Sequence, residues 1–148
     1  MKVDIKISPD IEETCAVIHT SKLTADLMKV VELLEGVELQ ATLLVAKKDD
    51  KSFVIELDQI EIIRTEGGVI KIYNQSAQDF IVTKALHELL EQLNSNFIRI
   101  SKSTIVNINA IDHLSPSFNG TMYIMMKNGL NDYISRKYLS DFKKRLGL

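Results

Sequence analysis

The chain has 148 residues, 45% of them apolar and 26% charged, which is the balance of an ordinary soluble domain with one sizeable core and excludes a disordered or fibrous chain. No apolar run reaches the roughly 20 residues that span a bilayer, and the charged start Met1 to Lys6 lacks the apolar region of a signal peptide, so a cytoplasmic protein without direct membrane insertion is expected. The formal net charge of -2 hides a polarity: 6 basic and 10 acidic residues stand before Lys51, whereas Ser95 to Leu148 holds 8 basic against 3 acidic, a pattern that suits a polyanion partner for the C-terminal third.

In chain order, Val3, Ile5 and Ile7 alternate with polar residues and predict a half-buried strand before the Ser8-Pro9-Asp10 turn. Cys15 to Ile18 is a second apolar run, read as a strand in which the single cysteine is a buried, inert thiol. Thr20 or Ser21 can cap a helix whose apolar positions are Leu23, Leu27, Val31 and Leu34, with Gly36 as its stop. Leu39 to Ala46 predicts another strand. The charged run Lys47-Lys48-Asp49-Asp50-Lys51 is taken as a soft boundary, giving an N-terminal α/β extension over 1–50, for dimerisation or regulation, and a second domain over 51–148.

Beyond residue 50 the pattern becomes short strands between turn residues. Phe53 to Leu57, Ile60 to Arg64, Val69 to Tyr73 and Phe80 to Val82 are strands, and Gly67 and Gly68 supply the positive φ of a tight hairpin. Thr83 opens a helix with Leu86, Leu89, Leu90 and Leu93 on one side. Strands are then expected at Phe97 to Ile100, Thr104 to Ile108, Ile111 to Leu114, Met122 to Met126 and Asp132 to Ile134, with Asn119-Gly120 and Asn128-Gly129 as turns. Ser135 caps a last helix with Leu139, Phe142 and Leu146 inward and Lys143, Lys144 and Arg145 outward. The fold class is mostly β with few helices (α+β), built on antiparallel strands.

Signatures of catalysis are lacking. His19, His87 and His113 fall in unrelated elements without metal-ligand spacing, and Gly67-Gly68 lacks the residues of a phosphate loop or a dinucleotide fingerprint. Met122, Met125 and Met126 suit core packing better than a cofactor box. An enzyme is therefore not expected, nor a cofactor or metal. What remains is a concentration of phosphate- and base-contacting donor types: Arg99, Ser101, Lys102, Ser103 and Asn107, then Asn128, Asn131, Ser135, Arg136 and Lys137.

The residues Phe97, Arg99, Ser101-Lys102-Ser103, Val106-Asn107 and Ile134-Ser135-Arg136-Lys137-Tyr138 resemble the two motifs of the LytTR family of bacterial DNA-binding domains, over about Ser52 to Leu148. Ser101 stands where many members have His, and Lys102 replaces Arg, keeping the charge and losing the planar fork. The resemblance implies a fold of about ten strands whose loops enter the major groove of double-stranded promoter DNA. It assigns Lys102 and Arg136 as principal contacts, with Ser101, Ser103, Arg99, Asn107 and Lys137 around them and the Gly68 turn as a third region.

It also implies a sequence-specific transcription regulator. Some fifty residues precede the DNA-binding part, too few for the receiver domain that members usually carry, so a stand-alone regulator is expected, acting as a homodimer on DNA, with a small membrane protein as a partner in some relatives. The reading from a different class is a protein-interaction module or dimeric adaptor that does not bind DNA.

Overall fold

A computed structural model describes Asp10, residues 15–35 and residues 42–148. The chain divides into two compact units, 1–39 and 40–148. The strand expected at Val3 to Ile7, the stop at Gly36 and the start of the strand expected from Leu39 lie outside the described residues.

In the first unit the described secondary structure is one helix, α1 (Ala25–Glu35). Its cap is Thr24, whose Oγ1 accepts the Leu27 N–H at 3.2 Å, and not Thr20 or Ser21. Thr20 instead closes a local turn with Lys22, accepting its N–H and donating to its carbonyl. Cys15 to Ile18 forms no strand, and Cys15 is exposed, which corrects the buried thiol expected from its apolar neighbours. An apolar run of four residues states a preference for burial, but without a partner strand it fixes no structure.

The second unit contains ten strands and two α-helices, so the antiparallel, mostly β class holds. Strands β1 (Leu43–Lys48), β2 (Lys51–Glu56), β3 (Ile60–Glu66), β4 (Val69–Asn74), β5 (Asp79–Val82), β6 (Phe97–Arg99) and β7 (Thr104–Asn107) form one sheet in the order β2-β1-β5-β4-β3-β7-β6. β8 (Ile111–Pro116), β9 (Met122–Met126) and β10 (Asn131–Ile134) form a second sheet in the order β10-β9-β8. The helices are α2 (Leu86–Gln92) and α3 (Arg136–Leu146). α2 starts later than Thr83, at the point where the Glu88 carboxylate accepts the Ala85 N–H at 3.2 Å.

The charged run at 47–51 is a hairpin turn inside the large sheet. β1 pairs with β2 from Leu43↔Glu56 to Lys48↔Lys51, and with β5 at Lys47↔Ile81, so the compact unit begins at Gln40 and the chain does not break at residue 50. Asp49 and Asp50 adopt φ of 50° and 59°, a left-handed pair that Asp tolerates better than most residues and that closes a two-residue turn.

Two cores sandwich the large sheet. Ile63, Ile72, Phe80 and Ile105 face Leu86 and Leu89 of α2 and Leu93 just after it, while Ile62, Val106, Ile98 and Ile100 face Ile124, Met126 and Ile134 of the small sheet and Phe142 of α3. Neighbouring residues Ile62 and Ile63 are fully buried on opposite sides of β3, an interior strand between β4 and β7 that is covered on both faces. Phe97 and Val106, the apolar members of the first motif, are buried in these cores.

Candidate nucleic-acid interface

Three stretches far apart in sequence meet at one end of the second unit. β3 ends where β7 begins, because the two are antiparallel, with Arg64 opposite Thr104. One residue further the ladder continues into the loop after β6: the Thr65 N–H donates to the Ser103 carbonyl at 2.8 Å. The hairpin at Gly67 and Gly68 is therefore beside the loop at 101–103. On the other side the Ser135 N–H donates to the Ile100 carbonyl at 2.9 Å, and the Thr104 hydroxyl donates to the Asp132 carboxylate at 2.7 Å. The β10–α3 junction is thus bound to the same loop. Lys102, Arg136 and Lys137 are all exposed on this rim, with their charged ends available to a ligand.

The loop is shaped by its own side chains. The Ser101 hydroxyl accepts the Ser103 N–H at 3.2 Å and lies 3.3 Å from the Ser103 hydroxyl, an arrangement that tightens the turn and presents Lys102 at its tip. Arg99 turns back onto this loop: Nε donates to the Ser101 carbonyl at 3.0 Å and Nη2 donates to the Lys102 carbonyl. Its guanidinium is a staple under the loop more than a group free to read bases.

Asn107 is 3% exposed. Its amide donates to the Ile60 carbonyl at 2.9 Å and its oxygen accepts the Asn109 N–H, so the expected DNA contact is corrected to an internal brace between β7 and β3. Asn128 is likewise spent, donating from Nδ2 to the Asn74 carbonyl while its N–H bonds the buried Glu61 carboxylate. These amides share a composition with base readers, and only their tertiary hydrogen-bond partners reveal that they are turned to the protein. Glu61 itself is pushed up in pKa by burial, a push moderated by the Asn128 N–H and by Lys127.

Acidic Glu66 sits at the rim next to the Gly67-Gly68 turn, where an uncompensated carboxylate would repel phosphate. It is held by Arg64 Nε, by the Tyr73 hydroxyl at 2.7 Å and by Lys71 at 3.8 Å, and Arg64 also lies 5.1 Å from the Tyr73 ring centre. Partial burial pushes the Glu66 pKa up, but the hydrogen bonds from Tyr73 and Arg64 and the charges of Arg64 and Lys71 outweigh it, and the carboxyl lies below its ordinary range. Arg64 Nη1 also donates to the Asn131 carbonyl at 3.2 Å, a further tie between the sheets.

The basic excess of the last third is only partly at this rim. Arg136 and Lys137 open α3, whereas Lys143, Lys144 and Arg145 close it, about 12 Å away along the axis. Cations in the last turn suit the helix dipole, and cations in the first turn oppose it. Ser135 occupies the N-cap position with no side-chain cap bond, so the positive end of α3 is left uncompensated by its own residues. An anion is what that end lacks.

The family model of the LytTr DNA-binding domain matches residues 50–147. Among curated proteins, the chain is 28% identical over 148 residues to an uncharacterized HTH-type transcriptional regulator of Staphylococcus aureus strain bovine RF122, covering 100% of this chain and 99% of the relative. The relative from Staphylococcus aureus strain NCTC 8325 is 29% identical with the same coverage and carries the same description. Among solved structures, the LytTr DNA-binding domain of a Bacillus cereus protein described as a methyl-accepting/DNA response regulator superposes with a TM-score of 0.68 at 24% identity, covering 72% of this chain and 98% of that one, a likeness in fold.

The label HTH-type belongs to those relatives; in the second unit here α2 and α3 are separated by five strands, so no helix pair joined by a short turn is present among its described residues. None of the described helices is long and apolar enough to cross a membrane. With a model match spanning well over half its length, this chain belongs to the LytTr DNA-binding domain family.

Proposed function

We propose that this protein is a transcription regulator that recognises promoter DNA by sequence, with the loops of the second unit's rim seated in the major groove. The observation that carries the reading is the convergence of Lys102, Arg136 and the Gly67-Gly68 turn, joined by backbone bonds from Thr65 to Ser103 and from Ser135 to Ile100. A rim of loops with two exposed cations can place one side chain against base edges while its neighbour neutralises phosphate. Ser101 and Ser103 serve the shape of the loop, Lys137 serves the phosphate backbone, and Gly68 lets the adjoining backbone approach closely.

Binding as a homodimer on two half-sites is part of the proposal, with the first unit, 1–39, as the pairing region in place of the 1–50 expected from sequence. In support, α1 has no buried residue and exposes Met28, Leu33 and Leu34, apolar area that association would remove from water. The test is selection of bound fragments from the cell's own genome, followed by equilibrium titration. Lys102→Ala and Arg136→Ala should each weaken the selected site by about 1 to 3 kcal/mol while leaving the fold intact. Equal affinity for all fragments at every salt concentration would reject sequence recognition.

A further inference from the structure

The turn between β8 and β9 carries an aromatic side chain that the reading so far leaves idle. Phe118 is 87% exposed, the most exposed of the large apolar residues described in the second unit. The turn that holds it is well made: the Phe118 carbonyl accepts both the Thr121 N–H at 3.1 Å and the Thr121 hydroxyl at 2.7 Å, and the Ser117 N–H bonds the Thr121 carbonyl at 3.1 Å. Asn119 and Gly120 then take φ of 56° and 72°, the left-handed pair that reverses the chain.

Its location follows from the register of the small sheet. Met122 pairs with Pro116 on one side and with Ile134 on the other, so the turn lies at the end of the sheet where β10 runs into Ser135 and Arg136. There the backbone meets the site directly. A Cβ at Gly120 would lie 3.5 Å from Arg136 Cδ and 3.7 Å from its Cγ, so the aliphatic stem of Arg136 runs along Gly120, two residues from Phe118. The turn supports the stem of a proposed base reader and carries a solvent-exposed phenyl ring two residues along the chain.

Resting on the function proposed above, we infer that Phe118 is a specificity-determining contact: its ring packs against the 5-methyl group of a thymine next to the base read by Arg136. In the major groove a thymine displays that methyl where other bases do not, and an apolar side chain is the group that recognises it. A phenyl ring carried on a hydrogen-bonded turn can do this without any hydrogen bond of its own. Arg136 then supplies polar readout at one step and Phe118 apolar readout at the next.

The test uses the full-length protein and one genomic fragment selected by it, prepared in two forms, with thymine and with deoxyuridine throughout. Base pairing is the same in both forms and only the methyl groups differ. Loss of one buried methyl corresponds to about a fourfold weaker affinity. Wild type should bind the deoxyuridine form at least that much more weakly. Phe118→Ala should bind the thymine form several-fold more weakly than wild type, and its own penalty for deoxyuridine should be smaller than the wild type's by about that fourfold factor.

Phe118→Leu, which keeps an apolar group, should retain part of the discrimination. Phe118→Ala with wild-type affinity, or with an undiminished deoxyuridine penalty, overturns the inference while binding that still depends on Arg136 leaves the wider reading intact. Failure of the wild type to prefer any fragment overturns both. Because the ring is outside the cores, circular dichroism and melting should match wild type in every variant, so a binding loss reports on contact.

Discussion

Arg99 offers the sharpest separation between a residue that touches DNA and one that holds the toucher. Its side chain makes two charge-assisted hydrogen bonds, to the carbonyls of Ser101 and Lys102, and so fixes the backbone of the loop that carries Lys102. Hydrogen bonds from charged groups contribute about 1.5 to 3 kcal/mol each when dry, and this guanidinium is only half-buried, so removing both should release about 2 kcal/mol of loop order. In Arg99→Ala the loop must be ordered at the moment of binding, which lowers affinity by roughly ten- to thirtyfold.

Affinity alone would not distinguish this from the loss of a phosphate contact, and salt dependence does. Each neutralised phosphate contributes a slope of about -0.9 in a plot of log K against log salt. Arg99→Ala should give a line parallel to wild type and displaced downward, because Lys102 keeps its charge. Lys102→Ala should give a line shallower by about 0.9. A slope change in Arg99→Ala equal to that of Lys102→Ala would show that Arg99 faces the duplex, and an undisplaced line would show that the staple is dispensable. Either result refutes the assignment.

Asn107→Ala should destabilise the protein by about 1 to 3 kcal/mol, read as a lower urea midpoint, because it strips the buried Ile60 carbonyl and the Asn109 N–H of their partner, while the affinity of the folded fraction for DNA stays at the wild-type value. Glu66, whose folded pKa lies below its ordinary 4.5, contributes stability that is complete above that value and is lost as pH falls through the folded pKa. Glu66→Gln should therefore cost about 1 kcal/mol or less near neutral pH, with a gap in melting temperature that closes in acid; a gap constant down to pH 3 would contradict the ion cluster. Lys137→Glu should stabilise α3 by about 0.3 to 1 kcal/mol through the helix dipole while weakening DNA binding and flattening the salt slope, opposite signs that thermal melting and titration would report together.

Local grammar was enough for most of the C-terminal unit. The Gly67-Gly68 and Asn128-Gly129 turns and the apolar stripe of α3 are decided by neighbours in sequence, and each is present in the fold, whereas the alternation read at Phe53 to Leu57 is not kept as burial in β2, where Ile55 alone is buried. The misreadings share a cause. Lys47 to Lys51 has the composition of a linker, and only the pairing of β1 with β2 and β5, a non-local fact, makes it a hairpin tip. Cys15 lies in an apolar run with no partner to bury it. Asn107 and Arg99 belong to a motif full of DNA-contacting donor types, and strand register, which sends successive side chains to opposite faces, turns their polar groups toward the protein. The pattern of residue types identifies the family; the direction in which each residue points is set by tertiary pairing.

That distinction also explains how a rim made of loops can be precise. The first motif holds Lys102 at a loop tip, with Arg99 spent on the backbone of that loop and Asn107 on bracing the far end of β7 against β3. The second motif repeats the arrangement: Arg136 and Lys137 are exposed, while Asp132 and the Ser135 backbone bind Thr104 and Ile100. Because these ties end on Thr104 of β7 and on Ile100 just after β6, both cation-bearing segments are anchored to the large sheet, which lowers the ordering entropy left to be lost on binding. The exposed cations, in contrast, contribute nothing to the cores and two of them oppose the α3 dipole. Under the function proposed above, those cations are kept on a well-braced rim for the phosphates and base edges of a duplex and not for the stability of the fold.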